Sequence, residues 1–169
     1  IELEARKVLA ASVKAYSHLK AIEMETTYSG DSGGFIKPVR SRLVLQRPNR
    51  LLYEVWHNVP GMGRTTVKRY VCDDRDYYVY DETEGYYSRF KAPKDVKQLG
   101  IAGAGVEFAA ISGSNPFDGL EKQVRAARVD GTAEVNGQPA DVVMLDSGNE
   151  DRTGEARFYI SRSDHLILR

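Results

Sequence analysis

Apolar and polar residues alternate along most of this chain, and the alternation predicts strands. Ile22, Met24, Thr26 and Tyr28 share one parity, while Glu23, Glu25 and Thr27 share the other. That pattern is a strand with one covered face and a solvated opposite side. Ser29 to Gly34 reads as a turn. The same period runs through five successive strands between Ser41 and Phe90. Leu43, Leu45 and Arg47 lie on one parity, and Leu51, Tyr53 and Val55 continue it after Pro48-Asn49. Pro48 cannot donate to a ladder, so it marks a strand end or hairpin corner. After a break from Asn58 to Gly63, Thr65 to Cys72 forms the next strand. Asp73 to Asp76 turns the chain, Tyr77 to Tyr80 runs back, Asp81 to Gly85 turns again, and Tyr86 to Phe90 closes the meander. Aromatic and β-branched residues between dense turn signals predict antiparallel pairing. In the last third, Val124 to Val129, Ala133 to Val135, Asp141 to Asp146, Ala156 to Ser161 and Leu166 to Leu168 are expected strands. Asp130-Gly131 is an expected turn, as is Gly148 to Asp151. Asn136-Gly137 is a hairpin signal that Pro139 weakens.

The period changes at two places. From Glu2 to Lys20, Leu3, Val8, Leu9, Ala11, Ser12, Ala15, Tyr16 and Leu19 fit a helix with one buried stripe. Pro93 suits the first turn of a second helical piece starting there and running to Leu99, with Asp95 at its electropositive end. Val106 to Ile111 reads as a further short helical turn. Gly100, Gly103 and Gly105 between these pieces form a small-residue hinge beside a helical lid. They lack the Gly-Lys-Ser/Thr of a phosphate loop.

Composition narrows the picture. A length of 169 residues predicts one domain, 1–169, able to bury a core without disulfides or metals. Lys+Arg and Asp+Glu both number 24, which leaves no basic excess for nucleic acid. No apolar run is long enough for a membrane-spanning helix. The chain starts at Ile1 and stops at Leu168-Arg169, so both ends read as trimmed and a signal peptide as already removed. Candidate chemistry is sparse. His18, His57 and His165 are too scattered for a metal motif, and no cofactor is expected. His18 reads as a solvated helix-end histidine and Cys72 as a buried, inert thiol. Asp73-Asp74-Arg75-Asp76 lacks the glycine and distal glutamate of a calcium loop. Ser112 lies outside Gly-x-Ser-x-Gly. No nucleophile, base and orienting group stand together, so a non-enzyme is expected.

The tyrosines are the unusual feature: seven of ten fall between 41 and 90. Strand propensity alone explains aromatics on a pleated surface. The other reading is an apolar cavity with phenol groups at its rim. Tyr77 and Val79 face one way, Tyr78 and Tyr80 the other, and a one-residue slip swaps them. A sheet apolar on both sides needs cover on both, or a ligand on one.

In order, several words of the sequence resemble the periplasmic lipoprotein carriers of the LolA-like fold and related predicted periplasmic proteins. They are Tyr16-Ser17-His18-Leu19-Lys20-Ala21-Ile22, the corner from Leu43 through Arg47-Pro48 to Glu54, the strand Asp74 to Asp81, and Val135-Asn136-Gly137-Gln138-Pro139-Ala140-Asp141-Val142-Val143. The resemblance implies a mainly β (α+β) fold: a strongly curved antiparallel sheet, an unclosed half-barrel, with an N-terminal helix and mid-chain helices covering its open side. It implies export to the periplasm, with anchoring as a lipoprotein left open. It also implies a lipid or acylated-protein ligand on the concave side. The family's lid-tethering Arg falls on Arg47, and its cavity aromatics fall on Leu51 and Tyr53. The expected ligand residues are Leu43, Leu45, Arg47, Leu51, Tyr53, Val55, Tyr78 and Tyr80. The competing expectation is an envelope sensor or interaction module with a membrane-protein partner and a self-filled cavity.

Overall fold

The computed structural model describes residues 1–27, 37–58, 65–99, 101, 105–117, 124–149 and 152–168, and among these residues nine antiparallel strands in two sheets account for more than half. The expected turn at 29–34 and the hinge glycines at 100 and 103 lie outside the described residues, as do 150–151 of the turn expected from Gly148 to Asp151 and 59–63 of the break expected from Asn58; Gly148, Asn149 and Asn58 themselves belong to strands. The chain divides into two compact units, residues 20–103 and residues 1–19 with 104–169.

The first unit is the six-stranded meander β1 (Ala21–Thr27), β2 (Lys37–Gln46), β3 (Arg50–Asn58), β4 (Thr65–Cys72), β5 (Asp76–Asp81) and β6 (Tyr86–Lys91), paired in chain order. The sheet is open, with β1 and β6 as its edges. The five strands expected between Ser41 and Phe90 are all present. Register sorts its side chains into two faces, because directly opposed residues point the same way. One face carries the row Ile22, Leu45, Leu51, Cys72, Tyr77, Phe90 and the row Met24, Leu43, Tyr53, Tyr70, Val79, Ser88. The other carries Glu25, Arg42, Glu54, Arg69, Tyr80 and Tyr87 across the same six strands. The Pro93–Leu99 piece is a single 3-10 turn, Val96–Gln98, whose N-cap Asp95 accepts from the Lys97 amide.

The second unit begins with helix α1 (Leu3–His18) and continues through α2 (Gly105–Ser112) into the three-stranded sheet of β7 (Val124–Val135), β8 (Gln138–Asn149) and β9 (Arg152–Ser161). Ala5, Ser12 and Tyr16 are the buried positions of α1. They recur at seven and four residues, which keeps them on one line of the helix. Leu3 departs from its expected place in the stripe and is 69% exposed. It precedes Ala5 by two residues, about 200° around the helix. Glu2 makes no side-chain cap. Its backbone N–H instead donates to the Ala127 carbonyl at 2.9 Å, tying the start of α1 to β7. The core of this unit is Ala5, Phe117, Ala127, Val143, Leu145 and Ile160, with Val8, Leu9 and Val13 packed against it. Phe117 meets the Phe158 ring edge-on, centroids 5.4 Å apart.

Asp130-Gly131 does not turn the chain. It is a bulge between Val129 and Thr132 in one long strand, with Gly131 at φ 102°. Asn136 and Gly137 do form the hairpin, both at positive φ (52° and 79°) as a two-residue primed turn requires. Pro139 keeps its place opposite Glu134, and its carbonyl accepts from the Arg162 amide. The expected strand at Leu166–Leu168 reduces to a bridge between Ile160 and Ile167, with the Leu168 amide donating to the Tyr159 carbonyl and the Leu166 carbonyl accepting from the Ser161 amide.

Candidate functional site

Five of the eight expected ligand residues share the apolar face of the six-stranded sheet. Leu43 and Tyr53 are directly opposed and wholly buried. Leu45 opposes Leu51, and Val55 lies on the same side of β3, all three 5% exposed or less. Alternation puts these five inward because each strand spaces them by two. Tyr53 stacks at a tilt on Tyr70, ring centroids 5.8 Å apart, and Tyr77 on Phe90 at 6.0 Å. Burial pushes the Tyr77 hydroxyl far above its ordinary ionisation range.

Tyr78 and Tyr80 are not with them. Tyr78 opposes Val71 and Tyr80 opposes Arg69, on the face that carries the charges. The Arg69 guanidinium lies over the Tyr80 ring and the Arg89 guanidinium over Tyr78, each 5.8 Å from the centroid. The same face holds ion pairs from Arg40 to Glu25, Arg42 to Glu23 and Arg69 to Glu54, at 3.0, 3.0 and 2.7 Å. It is Tyr77 and Val79 that join Leu51 and Tyr53.

Arg47 stands at the β2–β3 corner, one step beyond Leu45. Its backbone N–H donates to the Lys20 carbonyl at 2.8 Å. Its guanidinium Nη1 pairs with Asp95 Oδ1 at 3.4 Å, with the arginine side chain only 13% exposed. Burial lowers the Arg47 pKa, and Asp95 opposes that shift. The Pro48 carbonyl accepts from the Val96 amide at 2.8 Å. The corner and the 3-10 turn are therefore joined by two bonds, one charged and one main-chain.

An apolar cavity lies in the second unit, between α1 and the three-stranded sheet. Its volume is about 410 Å³. Leu9, Val13, Phe117, Val124 and Leu145 form its apolar walls. Among its described lining residues the only polar side chains are Arg6 and Asn115. The Asn115 Oδ1 accepts from the Phe117 amide at 2.8 Å, which holds the 115–117 segment in place. Arg6, Leu9, Ala10 and Val13 come from successive turns of one helix face. Sequence reasoning missed this site because it followed the aromatics, and this lining holds only Phe117. One signal was present. Val8, Leu9 and Val13 widen the apolar stripe of α1 beyond the line through Ser12 and Tyr16.

Among the described residues no cluster of His, Cys, Asp and Glu could hold a metal ion. Cys72 is 3% exposed, and burial raises its thiol pKa, with Asp73 and Asp74 adding to the shift. What the arrangement can do is enclose an apolar ligand.

Residues 5–168 match the model of a family described as "Predicted periplasmic protein (DUF2092)". This agrees with the resemblance carried by the sequence words above. Comparison with curated proteins finds no match. Among solved structures, the crystal structure of LprF from Mycobacterium bovis aligns over 98% of this chain and 84% of its own, with a TM-score of 0.54 and 12% identity. At that identity the likeness is one of fold. A putative outer membrane lipoprotein-sorting protein domain from Vibrio parahaemolyticus aligns over 97% of this chain and 70% of its own, at 13% identity and a TM-score of 0.33.

Proposed function

The chain belongs to the family of predicted periplasmic proteins DUF2092, and from that premise we propose that it is a non-enzymatic periplasmic carrier of a lipid or acyl-chain ligand. The observation that carries this reading is the apolar cavity of about 410 Å³ against α1. Its size falls in the range of roughly 300–1,000 Å³ typical of ligand pockets. Burying an acyl chain there supplies about 0.8 kcal/mol per methylene, before the cost of ordering the ligand. The fold shared with LprF supports the reading at the level of architecture only.

The sheet face of Leu43, Leu45, Leu51, Tyr53 and Val55 enters the proposal differently. These side chains are already buried, so ligand reaches them only when their cover moves. The Arg47–Asp95 pair is the proposed latch, since it fastens the 3-10 turn to the sheet corner. A partner in this reading is a lipid or an acylated protein.

The test is displacement of a fluorescent acyl probe from delipidated protein. Val13→Glu places a charge in the cavity wall, and probe binding is expected to fall at least tenfold with the fold intact by circular dichroism. Undiminished binding removes the cavity from the account.

One observation favours a second reading, an interaction module. Tyr86, Tyr87 and Phe90 on edge strand β6 are 56%, 68% and 53% exposed, which is unusual for three large aromatics on one short strand. A protein that carries no lipid yet binds an envelope membrane protein through β6 fits that reading instead.

A further inference from the structure

The cavity in the second unit has one charged side chain in its described lining, Arg6; Asn115, the other polar one, has its Oδ1 engaged by the Phe117 amide. Arg6 lies in the first turns of α1, and Leu9 and Val13 continue the same face away from it. Seven residues of helix separate Arg6 from Val13, a span of about 10 Å. The helix wall between them is apolar, and Phe117, Val124 and Leu145 also line the cavity. The volume of about 410 Å³ sits near the lower end of the range for single ligands, roughly 300–1,000 Å³. A site of that size holds one modest chain and not a bundle of chains.

The guanidinium of Arg6 is a cation whose planar fork matches carboxylate or phosphate oxygens. Among the described residues Arg6 makes no ion pair, and the nearby Glu4 is engaged by Lys7 at 3.5 Å. The N-terminal end of a 16-residue helix adds a partial positive charge on the same side.

We infer that this cavity binds a single-chain anionic amphiphile, with its carboxylate or phosphate on Arg6 and its tail between α1 and the sheet. This rests on the carrier reading and sharpens it, because it sets both the number of chains and the charge of the head. A ligand with several acyl chains does not fit inside these walls, and an uncharged alcohol leaves Arg6 without its counter-charge.

Calorimetric titration of delipidated protein with decanoate, decyl phosphate and decanol, each below its micelle concentration, tests the inference. One decanoate or decyl phosphate per chain is expected, and the stronger of the two identifies the head. Decanol should bind at least tenfold more weakly. A hydrogen bond between charged groups corresponds to a factor of roughly ten or more, so Arg6→Gln should bring the anions down to the level of decanol, while Arg6→Lys keeps part of the difference. Added salt should weaken the anions and not decanol, because Arg6 is exposed. Lys7→Gln, on the neighbouring solvent face, should change nothing. If decanol matches decanoate, or Arg6→Gln has no effect, the anionic head is wrong and the carrier reading stands. If a diacyl phospholipid binds where the decyl compounds do not, the single chain is wrong and the carrier reading again stands. Failure of every probe overturns both.

Discussion

His57 shows how a single side chain reports its surroundings. It lies on the apolar-face parity of β3, opposite Thr66, with Nδ1 buried and unbonded among the described residues. Burial lowers its pKa, Lys68 lowers it further, and Asp81 opposes both. The folded protein therefore binds this proton less tightly than the unfolded chain, whose histidine titrates near 6.5. The stability this neutral ring contributes is fully present above about pH 6.5 and is lost as pH falls through the lowered folded value. Denaturant midpoints measured from pH 7.5 to 5 should fall for the wild type and flatten in His57→Gln. Equal slopes in the two proteins would show that the ring does not feel its burial. Residues also mark the limit of what the sequence discloses. Alternation placed Leu43, Leu45, Leu51, Tyr53 and Val55 together, since a two-residue period needs no partner to be read. It left Tyr77 and Tyr78 undecided, because only strand register separates their faces. Register pairs Tyr77 with Cys72 and sends Tyr78 and Tyr80 to the side of Arg69 and Arg89.

Elements were legible where a local signal fixed them. Asn136-Gly137 made its hairpin despite Pro139, because Pro139 lies past the turn and its carbonyl found Arg162. Asp130-Gly131 carried the same kind of signal and became a bulge, since Val129 and Thr132 both pair with β8 and pull the strand through. The piece opening at Pro93 shortened to one 3-10 turn because its fixed points are the Arg47 guanidinium and the Pro48 carbonyl, both at a distant corner in sequence. That corner yields a prediction at this scale. Arg47→Ala removes a partly buried ion pair, its Asp95 side 38% exposed, and the packed stem of the arginine. A cost of about 1–2 kcal/mol is expected, between exposed and fully buried pairs. If the pair is a latch, both Arg47→Ala and Asp95→Ala speed exchange of bound acyl probe in stopped-flow mixing while the protein stays folded. Exchange rates equal to the wild type leave the pair a purely structural one. Leu51→Glu is a poorer probe of the same face, because a charge at a side chain 3% exposed threatens the fold before it tests binding.

At the scale of the whole molecule, the mainly β architecture followed from alternation, turn spacing and one amphipathic helix. The division into two compact units did not, because no linker or composition shift marks residue 20 or 104. The apolar cavity against α1 lies in the unit with few aromatics, while the tyrosine-rich unit spends its rings on packing and on a face that carries charges. A carrier with this arrangement keeps its ligand during gentle purification. The direct measurement is a native mass spectrum of the protein isolated without detergent and then sprayed again after denaturation. A bound species of lipid mass, one per chain, is expected, lost on denaturation and absent from Val13→Glu. A spectrum showing only the bare chain, from protein that also fails to take up added acyl ligand, would contradict it.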